Sequence, residues 1–271
     1  MTLITVACHQ LAPRIGDLAY NRTLSEGAIR GASGLAAQVI VLPELMQSGY
    51  AFMTREEAYA ASEADDGPTL SLWCALANEL DIIIVAGFCE RLSAGRVANS
   101  VALIQPEGRL TVYRKAHLWN REKLIFTPGT EPPPVVETRV GRIATMICYD
   151  LELPEWVRLA ALAGADLLCA PVNWPEGPRP AGERPGEIVR VQASAAVNRM
   201  FIAACDRYGE ERGINWVGGS TIVDANGYPL AGAVSHQREQ RLVAQLPLAE
   251  ARDKFISEHN HVHHDRRPVL Y

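Results

Sequence analysis

The sequence lacks any closely spaced cysteine pair. Its six cysteines, Cys8, Cys74, Cys89, Cys148, Cys169 and Cys205, are widely scattered. None forms the Cys-x-x-Cys of a zinc ribbon or a dithiol redox motif. All lie in or beside apolar segments, the pattern of reduced thiols in a cytoplasmic protein. An excess of positive charge is also missing. The formal net charge is −5, whereas a nucleic-acid surface needs a basic face, so no nucleic-acid partner is expected. No apolar run approaches the roughly 18 residues of a membrane span, and no membrane partner is expected either. The opening "MTLITVACHQ" has neither a basic n-region nor a small-residue cleavage site, so it reads as a first strand rather than a signal peptide. A cytoplasmic location is the expectation. "GERPGE" (182–187) offers two glycines without a following Lys-Ser/Thr, which rules out a phosphate loop. His259, His261, His263 and His264 crowd the polar tail. They have no partner cysteine or spaced carboxylate pair, so no metal site is expected.

What is present is an ordinary globular composition, 48% hydrophobic and 21% charged over 271 residues. Strand-like segments are "LITVACHQ" (3–10), "AQVIVLPEL" (37–45), "IIIVAGF" (82–88), "RIATMICYD" (142–150), "DLLCAPVNW" (166–174), "MFIAACDRY" (200–208) and "RLVAQLPL" (241–248). Hairpins are read around "PEG" within 100–115 and around Asn226-Gly227 within 218–233. Helices are read over 19–37, 69–81 with Thr69 as cap, 153–165 from Pro154 to Gly164, 186–199, and 249–257. The Pro-rich "GTEPPPVV" (129–136) reads as a loop. Alternating helices and strands with interleaved hairpins predict an α/β fold with mixed sheets. No break resembles a linker and no repeat recurs, so residues 1–271 read as a single domain. The runs "VIVL", "IIIV" and "DLLCA" predict strands covered on both faces.

Three of these segments end in a reactive polar group. "VIVLPEL" ends at Glu44, "LTVYRK" at Lys115 and "IATMIC" at Cys148. In an α/β sheet, chemistry gathers beyond the strand C-termini. A buried Glu or Lys there is costly unless paired, and adjacent strands would let Glu44 and Lys115 pair beside the thiol. Each alone could be a surface charge past a strand end, and a lone cysteine could be core packing. Together they form a coherent set. A thiolate attacks carbon and forms a covalent intermediate. A carboxylate takes the thiol proton, protonates the leaving amine and activates water. An ammonium and the backbone N–H of Tyr149 stabilise the oxyanion. Neither a metal nor an organic cofactor is required.

The stretches "VLPELMQSGY", "YRKAHLW" and "MICYDLELPE", supported by "EKLIFTPG", "GGSTIVDANG" and the tail "DRRPVLY", resemble the nitrilase superfamily of carbon–nitrogen hydrolases along almost the whole chain. The resemblance implies a four-layer αββα sandwich and a Glu44–Lys115–Cys148 triad. It also implies a second active-site glutamate, matched by Glu122. The loop "APVNWP" (170–175) would line the substrate pocket through Asn173 and Trp174, or serve only as a structural loop. Tyr50 and Phe52 would form another wall, or simply pack. The family's Arg-Ala-x-x-Glu-Asn helix is imperfect in "VQASAAVNR", which keeps Asn198 but has Val197 in place of Glu.

Cys148-Tyr149-Asp150 resembles the amidase branches rather than nitrilases with Cys-Trp-Glu. The implied reaction is hydrolysis of a small carboxamide to acid and ammonia through a cysteine thioester. N-carbamoyl hydrolysis and nitrile hydrolysis by the same triad are alternatives, and a non-catalytic binding relative would have lost part of the triad. Glu152 stands where some relatives place an arginine for acidic substrates. With Asp150 nearby, it suggests a negative pocket mouth and a preference for amides bearing a free amine. Otherwise Glu152 merely starts the next helix, where a negative charge is favourable. The resemblance further implies a homodimer or higher homo-oligomer. The helix 153–165 offers an apolar stripe, and the tail 259–271, with Arg266, Arg267 and Tyr271, reaches a partner subunit.

Overall fold

The computed structural model describes residues 2–270; Tyr271 of the expected interface tail lies outside them. In chain order the strands and helices are β1 (Ile4–Gln10), α1 (Leu18–Ser33), β2 (Val39–Val41), α2 (Arg55–Ala60), α3 (Pro68–Leu80), β3 (Ile83–Arg91), β4 (Val97–Ile104), β5 (Leu110–Arg114), α4 (Glu122–Ile125), β6 (Val135–Thr138), β7 (Gly141–Thr145), α5 (Pro154–Leu162), β8 (Leu167–Pro171), α6 (Gly186–Asn198), β9 (Phe201–Cys205), β10 (Glu210–Glu211), β11 (Ile214–Asn215), β12 (Thr221–Val223), β13 (Pro229–Gly232), β14 (Gln240–Leu246), β15 (Phe255–Ser257) and β16 (Asn260–His261). Two six-stranded sheets form, ordered β14-β1-β2-β3-β4-β5 and β13-β12-β9-β8-β7-β6. Each mixes parallel and antiparallel pairs.

Period-two alternation explains the layering. Val39, Val41, Ile83, Val85, Val101 and Leu103 face the second sheet and pack with Ile143, Leu167 and Cys169. Their neighbours Ile40, Ile84, Ala86, Ala102 and Ile104 face outward onto Ile29 of α1 and Leu70, Trp73 and Leu76 of α3. On the far side, Val157 and Ala160 of α5 and Ile188 and Val191 of α6 join the core of the second sheet. The result is the expected four-layer αββα sandwich with mixed sheets. No helix among the described residues is long and apolar enough to cross a membrane.

Several local expectations are corrected. The Pro-rich stretch is not all loop, because Val135 and Val136 begin β6, which pairs with β7. Strand β2 stops at Val41, well short of Glu44, and β7 stops at Thr145, short of Cys148. Thr69 is not the cap of α3. Gly67 takes that place with Pro68 in the first turn, and Thr69 bonds instead to Glu63 through its N–H and hydroxyl. The expected helix 249–257 splits into a 3-10 turn, Leu248–Arg252, and strand β15. Strand β15 pairs with β16 in a hairpin. Beyond it, His261 Nδ1 accepts the N–H groups of His263 and His264 at 3.3 and 3.1 Å, closing a compact turn. The helices α2 and α4 were not anticipated.

Candidate active site

Glu44 and Lys115 do not come from adjacent strands. Between β2 and β5 lie β3 and β4. The chain leaving β2 bridges that gap by crossing over β3 at Gly87. Leu42 N–H donates to Val85 O at 2.9 Å, Gly87 N–H to Pro43 O at 3.2 Å, and Gln47 N–H to Gly87 O at 3.2 Å. The approach is so close that a Cβ on Gly87 would sit 2.4 Å from Leu45 N and 2.7 Å from Glu44 Cα. The crossing delivers the Glu44 side chain to Asn99 on β4 and to Lys115, just past β5.

Glu44 Oε1 accepts from Lys115 Nζ at 2.7 Å and from Asn99 Nδ2 at 2.7 Å. Glu122 Oε1 accepts from the same two donors at 2.8 and 3.1 Å, and its Oε2 accepts the Trp119 N–H at 2.7 Å. Lys115 and Glu44 are fully buried and Glu122 nearly so. Glu44 Oε2 is buried with no partner among the described residues. Burial pushes the Glu44 carboxyl up to about 7, against the pull of the Lys115 ammonium, while Glu122 pushes the same way as burial. Burial alone would lower Lys115, but the Glu122 and Glu44 carboxylates outweigh it and hold the ammonium well above its ordinary value. The cluster is therefore a locked cation between two carboxylates, one of which is poised to exchange a proton near neutrality.

Cys148 comes from the other sheet. It follows β7 and opens a 3-10 turn, Cys148–Glu152, with φ +46°. A non-glycine residue in the left-handed region stores strain of order 1–3 kcal/mol. Its Sγ lies 3.7 Å from Asn173 O. Burial first, then the Glu44 charge, raises the thiol well above its ordinary value, with Lys115 opposing. The resting group is therefore a protonated thiol.

Around the sulfur is a cavity of about 300 Å³ whose walls include Trp119, Tyr149, Glu152, Trp174, Glu187 and Arg190. A second chamber of about 240 Å³, containing Tyr50, Phe52, Glu122 and Trp216, shares Trp119 and Pro175 with it. Trp174 thus stands in the wall of the cavity at the sulfur, and Tyr50 in the wall of the second chamber. Burial and the Glu122 carboxylate hold the Tyr50 hydroxyl well above its ordinary value. Asn173 behaves differently. Its Nδ2 donates to Glu44 O at 2.8 Å, so its side chain ties two active-site loops together. Glu152 reaches the cavity wall, but Arg190 Nη2 of α6 pairs with it at 3.0 Å and with Glu187 at 3.1 Å. The expected contribution of Asp150 to a negative mouth is overturned. Asp150 is fully buried and bonded to Tyr113, His117 and Ile147.

Asn99 was missed by sequence reasoning, although "VANSVALI" carries a visible signal. An amide in the middle of a strand buried on both faces must have a buried polar partner. Arg190 was missed because α6 lies far along the chain, and nothing in its spacing points to the thiol. Among the described residues, no group of three His, Cys, Asp or Glu side chains is arranged to hold a metal.

A buried Lys–Glu–Glu cluster beyond the strands of one sheet, a strained cysteine beyond a strand of the other, and the four-layer sandwich that carries them fit the carbon–nitrogen hydrolases. Residues 5–254 match that family, and the chain belongs to it. It is 35% identical over 272 residues to a protein named nitrilase from Pyrococcus abyssi, covering 99% of each chain. It is 35% identical over 240 residues to an (R)-stereoselective amidase from Pseudomonas sp., covering 88% of this chain and 83% of that one. In structure it is similar to an amidase from Nesterenkonia sp. AN1, with TM-score 0.78 and 27% identity, covering 98% and 95% of the two chains. That structure is of a glutamate-to-glutamine variant with the acetamide moiety of fluoroacetamide covalently added at the active-site cysteine.

Proposed function

We propose that this enzyme is an amidase that hydrolyses a small carboxamide through a thioester on Cys148. The observation that carries the reading is the division of labour at Glu44. Oε1 is taken by Lys115 and Asn99, while Oε2 is buried with no partner among the described residues. As Sγ attacks the carbonyl carbon, the C–S bond forms and the thiol proton passes to Glu44. The tetrahedral oxyanion is stabilised by the Lys115 ammonium and the Tyr149 N–H. The C–N bond then breaks, and Glu44 returns its proton to the departing amine. Water, deprotonated by Glu44, attacks the thioester and releases the acid and the thiol. Glu122 holds Lys115 and, through Trp119 N–H, the loop between the chambers.

The cavity walls refine the substrate class. Glu152, Glu176 and Glu187 face one cation, Arg190. This acid excess favours an amide that carries a free amine. A carboxylate about 4 Å from an ammonium gains about 4 kcal/mol at an effective dielectric of 20. The same excess also supports N-carbamoyl amines as a second reading. A relative from Solanum lycopersicum, 32% identical over 288 residues, is named N-carbamoylputrescine amidase.

The deciding experiment incubates the protein with small carboxamides, amino amides, N-carbamoyl amines and nitriles, and measures ammonia. Release from carboxamides, lost by about 10⁴-fold or more in a folded Cys148→Ala variant, is the expected result, with an acyl adduct on Cys148 from a slow substrate. Near-wild-type turnover by that variant would sink the mechanism. The ratio of kcat/KM for an amino amide and its neutral isostere should fall in Glu152→Gln. An unchanged ratio returns Glu152 to a helix-start role.

A further inference from the structure

The carboxylate of Asp150, two residues after the thiol in the same 3-10 turn, gathers hydrogen bonds from two separate parts of the chain. Its Oδ2 accepts the Ile147 N–H at 3.1 Å and the Tyr113 hydroxyl at 2.8 Å. Its Oδ1 accepts the His117 N–H at 3.0 Å and lies 2.7 Å from His117 Nδ1. The Tyr113 hydroxyl in turn accepts the Trp156 indole N–H at 3.0 Å. The Trp156 ring stands edge-on to His117 with centroids 4.8 Å apart. Tyr113 and His117 flank Lys115 on the first sheet, and Ile147 precedes Cys148 on the second. One fully buried carboxylate therefore joins the lysine segment to the thiol turn.

We propose that Asp150, held by His117 and Tyr113, is a positioning residue that fixes the Cys148 thiol against the Lys115–Glu44 cluster. The proposal rests on Cys148 being the nucleophile. The physical need for such a device lies in the backbone. Cys148 has φ +46°, and strained backbone persists only where its surroundings over-determine it. Asp150 N–H donates to Ile147 O at 3.0 Å, while the Asp150 carboxylate returns a bond to Ile147 N–H, so the turn is closed from both ends around the cysteine. The link to His117 then prevents the closed turn from drifting as a unit. A misplacement of about 1 Å costs on the order of 10²-fold in rate, and it falls on kcat rather than on substrate binding.

The test compares His117→Ala, His117→Asn and Tyr113→Phe in the full chain. Two readouts are followed: kcat and KM on a simple carboxamide, and the rate at which iodoacetamide alkylates Cys148, followed by mass spectrometry. His117→Ala should lower kcat by about 10²-fold with KM little changed, and should slow alkylation. His117→Asn should restore most of both, because its Nδ2–H can replace the imidazole Nδ1–H. Tyr113→Phe should move both readouts in the same direction by less, and it carries the test if His117→Ala does not fold. A merely structural role would lower the melting temperature but leave kcat and alkylation of the folded protein unchanged, and that result overturns the proposal. A wild-type Cys148 no more reactive than the other five cysteines would overturn the nucleophile reading and the proposal together.

Discussion

A lysine sealed from water between two carboxylates constrains each residue in a different way. Removing Lys115 leaves Glu44 and Glu122 buried without their cation, and breaking a buried ion pair typically costs about 3–5 kcal/mol. Lys115→Ala should therefore lose both activity and stability, whereas Cys148→Ala should lose activity alone. Thermal melts beside ammonia release would separate the two. As the proposed base, Glu44 should carry the pH dependence. Its carboxyl is pushed up to about 7, first by burial and then by Glu122. A base must be ionised in the free enzyme, so kcat/KM should fall as pH drops below about 7, by roughly tenfold per unit once well below it. Residual activity in Glu44→Gln should not show this acidic limb. A profile flat from pH 5 to pH 8 in the wild type would require a different base. At this scale the sequence was readable because Glu44, Lys115 and Cys148 each stand just beyond an apolar run. The left-handed backbone of Cys148 was not readable, since the residues that usually signal it are glycine and asparagine.

Among the elements, the crossing of β3 by the segment after β2 does the most to build the site. Gly87 sits in the middle of a strand, where glycine is otherwise a weakness, and the packing of Leu45 N and Glu44 Cα against it explains its presence. Gly87→Ala should force the segment outward and pull Glu44 away from Asn99 and Lys115. Overpacking of this kind costs typically about 1–3 kcal/mol. The expected outcome is a lowered melting temperature with a larger loss of kcat than a mutation of equal cost in α1 would produce. Equal losses would argue that the crossing only supports the fold. The long strands and helices were legible from periodicity. Strand β6 was hidden because Pro132, Pro133 and Pro134 precede it and suggest a loop. Helix α2 is short and charged, yet Thr54 caps it and Glu57 reaches back to Met53 N–H, a capping pattern visible in principle.

Over the whole molecule, apolar side chains remain exposed on one flank. Leu159 and Leu162 of α5, Val189 and Val197 of α6, and Phe255 and Ile256 of the terminal hairpin are all solvent-facing in the single chain. The three elements are neighbours, since Arg158 of α5 donates to Val197 O of α6, and Arg199, just past α6, donates to Asp253 O before the hairpin. Exposed apolar side chains gathered on neighbouring elements are the kind of surface that favours association. We propose that a second copy of the chain covers it, as the sequence resemblance implies. Sedimentation should give a dimer or larger assembly at micromolar concentration, and Leu159→Glu with Val189→Glu should shift it toward monomer. A wild type that sediments as a monomer would remove the proposal. Nothing in the primary sequence could settle this, because the hairpin and both helices converge only after folding.

The Lys–Glu–Glu cluster stands on one sheet and the cysteine on the other. On the proposed mechanism, turnover is a gauge of how the two halves of the sandwich are docked. If mild denaturant or a core substitution lets one sheet slide against the other, far-ultraviolet dichroism would still record intact strands and helices. The chemistry would already have stopped, because its acid–base half and its sulfur half would no longer be in register.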